Sequence, residues 1–163
     1  MTDRLRIALA QMNQRVGDLA GNAADILARR DEAHAAGADL LLVPELQLTG
    51  YPPEDLVLNP EFLRRTAEAA AGLIAATAGP GPALVFGSIV VERGKPYNAM
   101  IVAEDGKQRF VSFKRELPNY GTFDEKRVFA AGPLPEPFVF RGVRIGFPIC
   151  EDIWLEPVCA ALA

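Results

Sequence analysis

The chain has 163 residues, of which 50% are hydrophobic and 23% are charged, a composition typical of a globular protein with one hydrophobic core. Seventeen basic and 21 acidic side chains give a formal net charge of -4, and no dense basic run could neutralise phosphates, so nucleic acid is not an expected partner. The N-terminus contains neither a signal-peptide core nor a run long enough to span a bilayer, which predicts a cytoplasmic protein without a membrane partner.

Strand and helix patterns alternate in the first half of the chain. The apolar run "RLRIALAQM" predicts a strand, and "NAADILARRDEAHAAGA" predicts a helix that ends at Gly37. The segment "DLLLVPE" has the pattern of a strand buried on both faces. The clearest helix is "NPEFLRRTAEAAAGLIAATAG", with Pro60 near its start and Gly79 at its end. Its predicted buried face consists of Phe62, Thr66, Ala70, Leu73, Ile74 and Thr77.

Strand patterns follow one another in the second half. The segments "ALVFGSIVVERG", "PYNAMIVAEDGK" and "QRFVSFKREL" predict three consecutive strands, separated by the turn signals "RGKP" and "EDGK". The run "LPNYGTFDEKRVFAAGPLPEP" predicts an ordered surface loop. Strand-like alternation returns in "FVFRGVRIGFPIC", and "LEPVCAALA" resembles the opening of a helix. The predicted class is α/β or α+β, with helices covering a sheet.

The cysteine and histidine counts exclude several kinds of site. Cys150 and Cys159 are nine residues apart, which fits neither a zinc site nor a redox pair, so no metal and no disulfide are expected. Cys159 falls in the apolar helix pattern, where a cysteine behaves as a small hydrophobe. The only histidine, His34, lies in a helix pattern and is expected to be solvated. Catalysis by a cysteine would therefore have to proceed without histidine.

Three reactive side chains follow predicted buried strands: Glu45, Lys114 and Cys150. Each has a structural explanation when taken alone, as a turn residue, a solvated lysine or a core cysteine. The acids that follow Cys150 would raise the pKa of its thiol unless another group opposed them. Lys114 could supply the opposing cation and Glu45 could supply a base, which predicts nucleophilic catalysis if the fold brings the three together.

The segments around these residues carry a family resemblance. "LLLVPELQLTGYPPEDL", "FKRELPNYGTFDEKRVF" and "GVRIGFPICEDIW" resemble the three catalytic blocks of the nitrilase, or carbon-nitrogen hydrolase, superfamily. "LPNYGTFDEKRVF" and "PICEDIW" are similar to the glutamine amidohydrolase domain of the glutamine-dependent NAD synthetases. The resemblance implies an αββα sandwich. Members continue with further strands and helices, so residues 1–163 are expected to be one domain without its C-terminal part, in which the sheets would leave apolar surface uncovered.

The resemblance also implies roles for particular residues. Glu45 would be the general base, Lys114 would stabilise the tetrahedral intermediate, and Cys150 would be the nucleophile. Glu125 would orient the lysine, and Glu151 would contribute its backbone amide to the oxyanion. Four aromatic residues would either surround a glutamine pocket and ammonia exit or serve only in packing; they are Tyr51, Tyr120, Phe123 and Trp154.

The implied activity is hydrolysis of the side-chain amide of L-glutamine, with no cofactor for that step. The ammonia would pass to a synthetase domain that uses ATP and magnesium, in a protein expected to form homo-oligomers. Two alternatives remain open. The chain could be an inactive fragment or scaffold piece, which its length favours, or an amidase of the same superfamily with another substrate, against which "LPNYGTFDE" argues.

Overall fold

The computed structural model describes residues 4–163. Its strands are β1 (Ile7–Leu9), β2 (Leu40–Leu42), β3 (Ala83–Glu92), β4 (Lys95–Glu104), β5 (Lys107–Phe113), β6 (Phe138–Phe140) and β7 (Val143–Ile145). Its α-helices are α1 (Leu19–Ala35), α2 (Pro60–Ala76), α3 (Glu125–Val128) and α4 (Glu156–Leu162). Two 3-10 helices span Glu54–Leu58 and Cys150–Trp154. Over this part of the chain, no helix is both long and apolar enough to cross a bilayer.

The main sheet has five strands in the order β1-β2-β3-β4-β5. Strands β1, β2 and β3 are parallel to one another, and β3, β4 and β5 form an antiparallel meander. Strands β6 and β7 form a separate two-stranded antiparallel sheet. The series of three strands predicted from the turn signals is therefore confirmed. Burial on both faces of the strand in "DLLLVPE" is also confirmed, because the adjacent residues Leu40 and Leu41 are buried in the clusters on opposite faces of the sheet.

Two apolar cores lie on opposite faces of the five-stranded sheet. On one face, Ile26 of α1 and Leu73 of α2 belong to a cluster with Phe86. On the other face, Phe140 packs in a cluster with Val85 and with residues of the segment that leads to Cys150. The order of layers is thus helix, sheet and second β-layer, which confirms the α/β class with helices covering a sheet.

Helix α1 begins at Leu19, three residues before the predicted start. Asp18 caps it, because its carboxylate accepts the Gly21 N–H at 2.9 Å. Helix α2 has the predicted start at Pro60, and Asn59 caps it. The predicted face of α2 is confirmed, since Phe62, Thr66, Ala70, Leu73 and Thr77 are buried and Ile74 packs partly against the core.

The strand predicted to run directly into Cys150 is shorter than expected. Strand β7 ends at Ile145, and residues 146–149 belong to no strand among the described residues. Proline at position 148 has no N–H to donate to a sheet ladder. The predicted alternation holds only in part: Phe147 and Ile149 are buried, whereas Val143 is 46% exposed.

Candidate active site

Lys114 directly follows β5 and is completely buried. Its Nζ lies 2.8 Å from Oε1 of Glu45 and 2.8 Å from Oε1 of Glu125. Burial alone would lower the pKa of Lys114, but the two carboxylates outweigh that effect and the pKa is raised. The ammonium therefore keeps its charge inside the protein, where an unpaired charge would be very costly.

Glu45 lies in the turn that follows β2, and a strand residue holds its side chain in place. Asn98 of β4 donates its Nδ2–H to Oε1 of Glu45 at 2.6 Å. The backbone carbonyl of the same asparagine accepts a hydrogen bond from the backbone N–H of Lys114 at 2.8 Å. Asn98 is only 1% exposed and was missed from the sequence, although a buried amide in the middle of an apolar strand is the signal that could have identified it.

Glu125 opens the short helix α3 and is 5% exposed. Besides the lysine, its Oε1 accepts a hydrogen bond from the hydroxyl of Tyr51 at 2.9 Å. Burial raises the pKa of Glu125, while the Lys114 ammonium opposes the shift. The structure thus brings Tyr51, predicted in the substrate pocket, into contact with the carboxylate that faces the lysine.

Cys150 is the first residue of the 3-10 helix Cys150–Trp154 and is exposed. Its φ of 48° lies in the left-handed region, which costs a residue with a side chain about 1–3 kcal/mol and is typical of functional sites. Cys150 and Glu45 line the same cleft of about 330 Å³, which is mainly apolar. Partial burial and then the Glu45 carboxylate raise the pKa of the thiol, and Lys114 lowers it. The thiol is therefore protonated at neutral pH, with a carboxylate nearby that can take its proton.

Two of the other predicted aromatic residues, Phe123 and Tyr120, connect to this cluster through Tyr51 and Glu151. The ring of Phe123 lies 6.4 Å from that of Tyr51 and 5.6 Å from that of Tyr120. The hydroxyl of Tyr120 donates to Oε2 of Glu151 at 2.9 Å, which gives that carboxylate a partner. Trp154 is 79% exposed at the end of the 3-10 helix.

Two further residues test the expectations about cysteine and histidine. His34 is exposed on α1, as predicted. Cys159 was expected to behave as a small hydrophobe within an apolar helix; it lies in the predicted helix, α4, and its side chain is exposed. Its sulfur lies 3.3 Å from the carbonyl of Ile153. The opposite face of α4 is the buried one, where Val158 is inaccessible to solvent.

We expect Glu45→Gln to make the Cys150 thiol more reactive at neutral pH. The substitution removes the carboxylate that raises the thiol pKa and leaves the lysine that lowers it. Alkylation by iodoacetamide at pH 7 should become several-fold faster, because only the thiolate reacts. The rate is measured from pH 6 to 10 by peptide mass spectrometry, with Cys159 as the internal reference. An unchanged pH profile for Cys150 would contradict the assigned cause of the shift.

Comparison with known proteins identifies the family. Residues 6–163 match the carbon-nitrogen hydrolase family, and the chain belongs to it. The glutamine-dependent NAD(+) synthetase of Rhodobacter capsulatus is 47% identical over 163 residues, which are 100% of this chain and 29% of the relative. The enzyme of the same name from Synechocystis sp. is 42% identical over 155 residues, 91% of this chain and 28% of the relative. The chain thus spans less than a third of the length of these relatives.

Solved structures agree with the predicted fold. The glutamine-dependent NAD+ synthetase of Acinetobacter baumannii superposes with a TM-score of 0.90 at 36% identity, covering 97% of this chain and 30% of that one. A nitrilase-superfamily amidase from Nesterenkonia has a TM-score of 0.82 at 27% identity, covering 97% and 60%. Another structure of that amidase shows acrylamide added to its active-site cysteine. The nitrilase fold is therefore confirmed, and the chain covers part of it.

Proposed function

We propose that this chain is the glutamine-hydrolysing part of a glutamine-dependent NAD synthetase. One observation carries the chemistry: a buried ammonium lies 2.8 Å from each of two carboxylates, and one of them shares a cleft with a cysteine. Such a cluster suits attack on an amide, since it offers a nucleophile, a base and a cation for the oxyanion. Sequence identity of 47% to a glutamine-dependent NAD(+) synthetase supports glutamine as the amide.

The proposed reaction proceeds in two halves. Cys150 Sγ attacks the side-chain carbonyl carbon of glutamine as its proton passes to Glu45. Glu45 then protonates the nitrogen, the C–N bond breaks, and ammonia leaves a glutamyl thioester on the sulfur. Water attacks the thioester while Glu45 takes its proton. The C–S bond breaks, the sulfur recovers the proton, and glutamate is released.

The oxyanion formed in each half of the reaction would be stabilised by two groups. One is the Lys114 ammonium, which is already fixed by its carboxylate partners. The other is the N–H of Glu151, which donates to no protein acceptor among residues 4–163. Donors that are fixed before the reaction contribute most to catalysis, because they need no reorganisation when the charge forms.

The ATP-dependent use of ammonia belongs, in this proposal, to a synthetase domain in the same protein or in an associated one. In the part of the chain that the structure describes, no group of three or more potential metal ligands is placed to hold an ion. In this proposal, magnesium and ATP are bound by that synthetase domain. Homo-oligomerisation and a cytoplasmic location are further parts of the proposal.

The experiment compares amides in the longest polypeptide that carries this sequence. We expect L-glutamine to release equal amounts of ammonia and glutamate, with kcat/KM well above that for acetamide or propionamide. An intact-mass increase for a glutamyl thioester should appear on Cys150. Cys150→Ala should lose both signals, whereas Cys159→Ala, the matched control, should keep them. A preference for simple amides would indicate an amidase with another substrate, and no turnover of any amide would indicate an inactive chain.

A further inference from the structure

Asp152 is a buried acid that the reaction described above does not use. Its side chain is 1% exposed, yet it carries no ion pair within 4 Å among the described residues. Instead, three backbone N–H groups donate to it. Oδ1 accepts from Glu116 at 2.7 Å and from Arg115 at 3.1 Å, and Oδ2 accepts from Ile149 at 3.0 Å.

The three donors belong to two segments of the chain, and each segment adjoins a residue of the candidate site. Arg115 and Glu116 directly follow Lys114, whereas Ile149 directly precedes Cys150. Each carboxylate oxygen therefore holds one of two segments, and each segment carries a residue of the site. No regular strand pairing joins residues 146–149 to β5 in the described part of the chain. A longer contact, from the Ser112 hydroxyl to the carbonyl of Phe147 at 3.4 Å, is a weaker link between them.

We propose that Asp152 is a positioning residue that fixes the sulfur of Cys150 relative to Lys114 and Glu45; this inference rests on the proposed function. Cys150 has a left-handed backbone, which persists only where its surroundings hold it. Asp152 holds this turn through two hydrogen bonds to Ile149. Its carboxylate accepts the N–H of Ile149, and its own backbone N–H donates to the carbonyl of Ile149 at 3.1 Å.

Asp152→Asn should break the hydrogen bonds to one of the two segments while leaving the size and shape of the side chain almost unchanged. Asparagine has one carbonyl oxygen and one NH2 group, so it cannot accept from both segments. With the oxygen toward Arg115 and Glu116, the NH2 group meets the N–H of Ile149, and a donor faces a donor. With the amide reversed, two N–H groups are left unpaired. One segment is released in either orientation, and the sulfur loses its fixed distance to the lysine.

The first readout is turnover of L-glutamine in the longest polypeptide that carries the sequence. We expect kcat to fall by roughly a hundredfold, the loss typical of a misplacement of about 1 Å, with KM within a few-fold of its original value. Asp25→Asn, an exposed acid on α1, is the matched control and should change neither constant. Thermal unfolding is followed for every variant. Asp152→Glu keeps both carboxylate oxygens and should lie between the original chain and Asp152→Asn.

The second readout does not depend on glutamine. The effect of Glu45→Gln on iodoacetamide alkylation of Cys150 measures how strongly Glu45 and the thiol interact. In an Asp152→Asn background this effect should shrink or vanish, because the thiol is no longer held beside Glu45. A purely structural role for Asp152 would lower the unfolding temperature and leave the interaction unchanged.

The two readouts separate this inference from the proposed function. Normal kcat together with an intact Glu45–Cys150 interaction in Asp152→Asn would overturn the positioning role while glutamine hydrolysis stood. If the original chain hydrolysed no glutamine but Asp152→Asn still abolished the interaction, the proposed function would fail and the positioning role would hold.

Discussion

Lys114→Arg should reduce the kcat for glutamine at least about a hundredfold, which corresponds to roughly 3 kcal/mol of transition-state stabilisation. The site holds a single nitrogen 2.8 Å from two carboxylate oxygens, in a position with no solvent exposure. A guanidinium is wider, planar and forked, so it retains the charge but cannot occupy the space of a compact ammonium.

The matched control for this substitution is Lys107→Arg. Lys107 begins the same strand, β5, and its side chain is exposed, so the same chemical change there does not have to fit a buried space. We expect it to leave kcat and thermal unfolding unchanged. Ammonia release is measured for both variants together with their unfolding temperatures. Near-normal turnover in a folded Lys114→Arg variant would show that the role proposed for the ammonium is wrong.

Gly87→Ala should impair both folding and activity. A Cβ built on Gly87 would lie 2.2 Å from the backbone N of Leu46, 2.7 Å from the carbonyl carbon of Glu45 and 2.7 Å from the oxygen of Pro44. All three are backbone atoms, so the turn that carries Glu45 would have to move. Overpacking of this kind typically costs about 1–3 kcal/mol of unfolding free energy. Turnover should fall as well, because the shifted turn displaces the base.

Gly72→Ala provides the contrast within the same chain. Gly72 lies inside α2, and an added Cβ there meets nothing within 4 Å. Alanine in a helix interior is favoured over glycine by about 0.5–1 kcal/mol, so this variant should be slightly more stable and fully active. Urea unfolding of both variants gives the comparison. Equal stability of Gly87→Ala and the original chain would contradict the close packing of the turn against β3.

The sequence predicted most of the elements because their signals are local. Apolar runs bounded by glycine, proline and turn residues identified the strands from β2 to β5, and Pro60 and the periodicity of α2 identified its start and its buried face. The region before Cys150 was less predictable. Alternation gave the burial of Phe147 and Ile149 correctly, but pairing depends on a partner strand, which no local pattern specifies.

The residues of the candidate site also fall into two groups, those predicted from the sequence and those identified only in the structure. Their places after predicted buried strands singled out Glu45, Lys114 and Cys150, and the family resemblance implied their roles. The structure brings Lys114 to 2.8 Å from Glu45, with Cys150 and Glu45 lining one cleft. Asn98 was missed, and Asp152 was interpreted only as an acid near the thiol, because their hydrogen bonds join residues 53 and 36–37 positions apart along the chain. Hydrogen bonds of that sequence separation depend on the tertiary fold, although a polar residue in an apolar setting hints at them.

The position of Lys114 between two carboxylates also determines how charge moves during the proposed reaction. With a protonated thiol, the group formed by Glu45, Glu125, Lys114 and Cys150 contains two negative charges and one positive charge. When the thiol proton passes to Glu45 and the oxyanion forms, the total is the same, because the negative charge has only moved from the base to the substrate. Lys114 exchanges one anionic neighbour for another and is never left alone in the interior. A fully buried ammonium can therefore serve every step of the cycle without taking up or losing a proton.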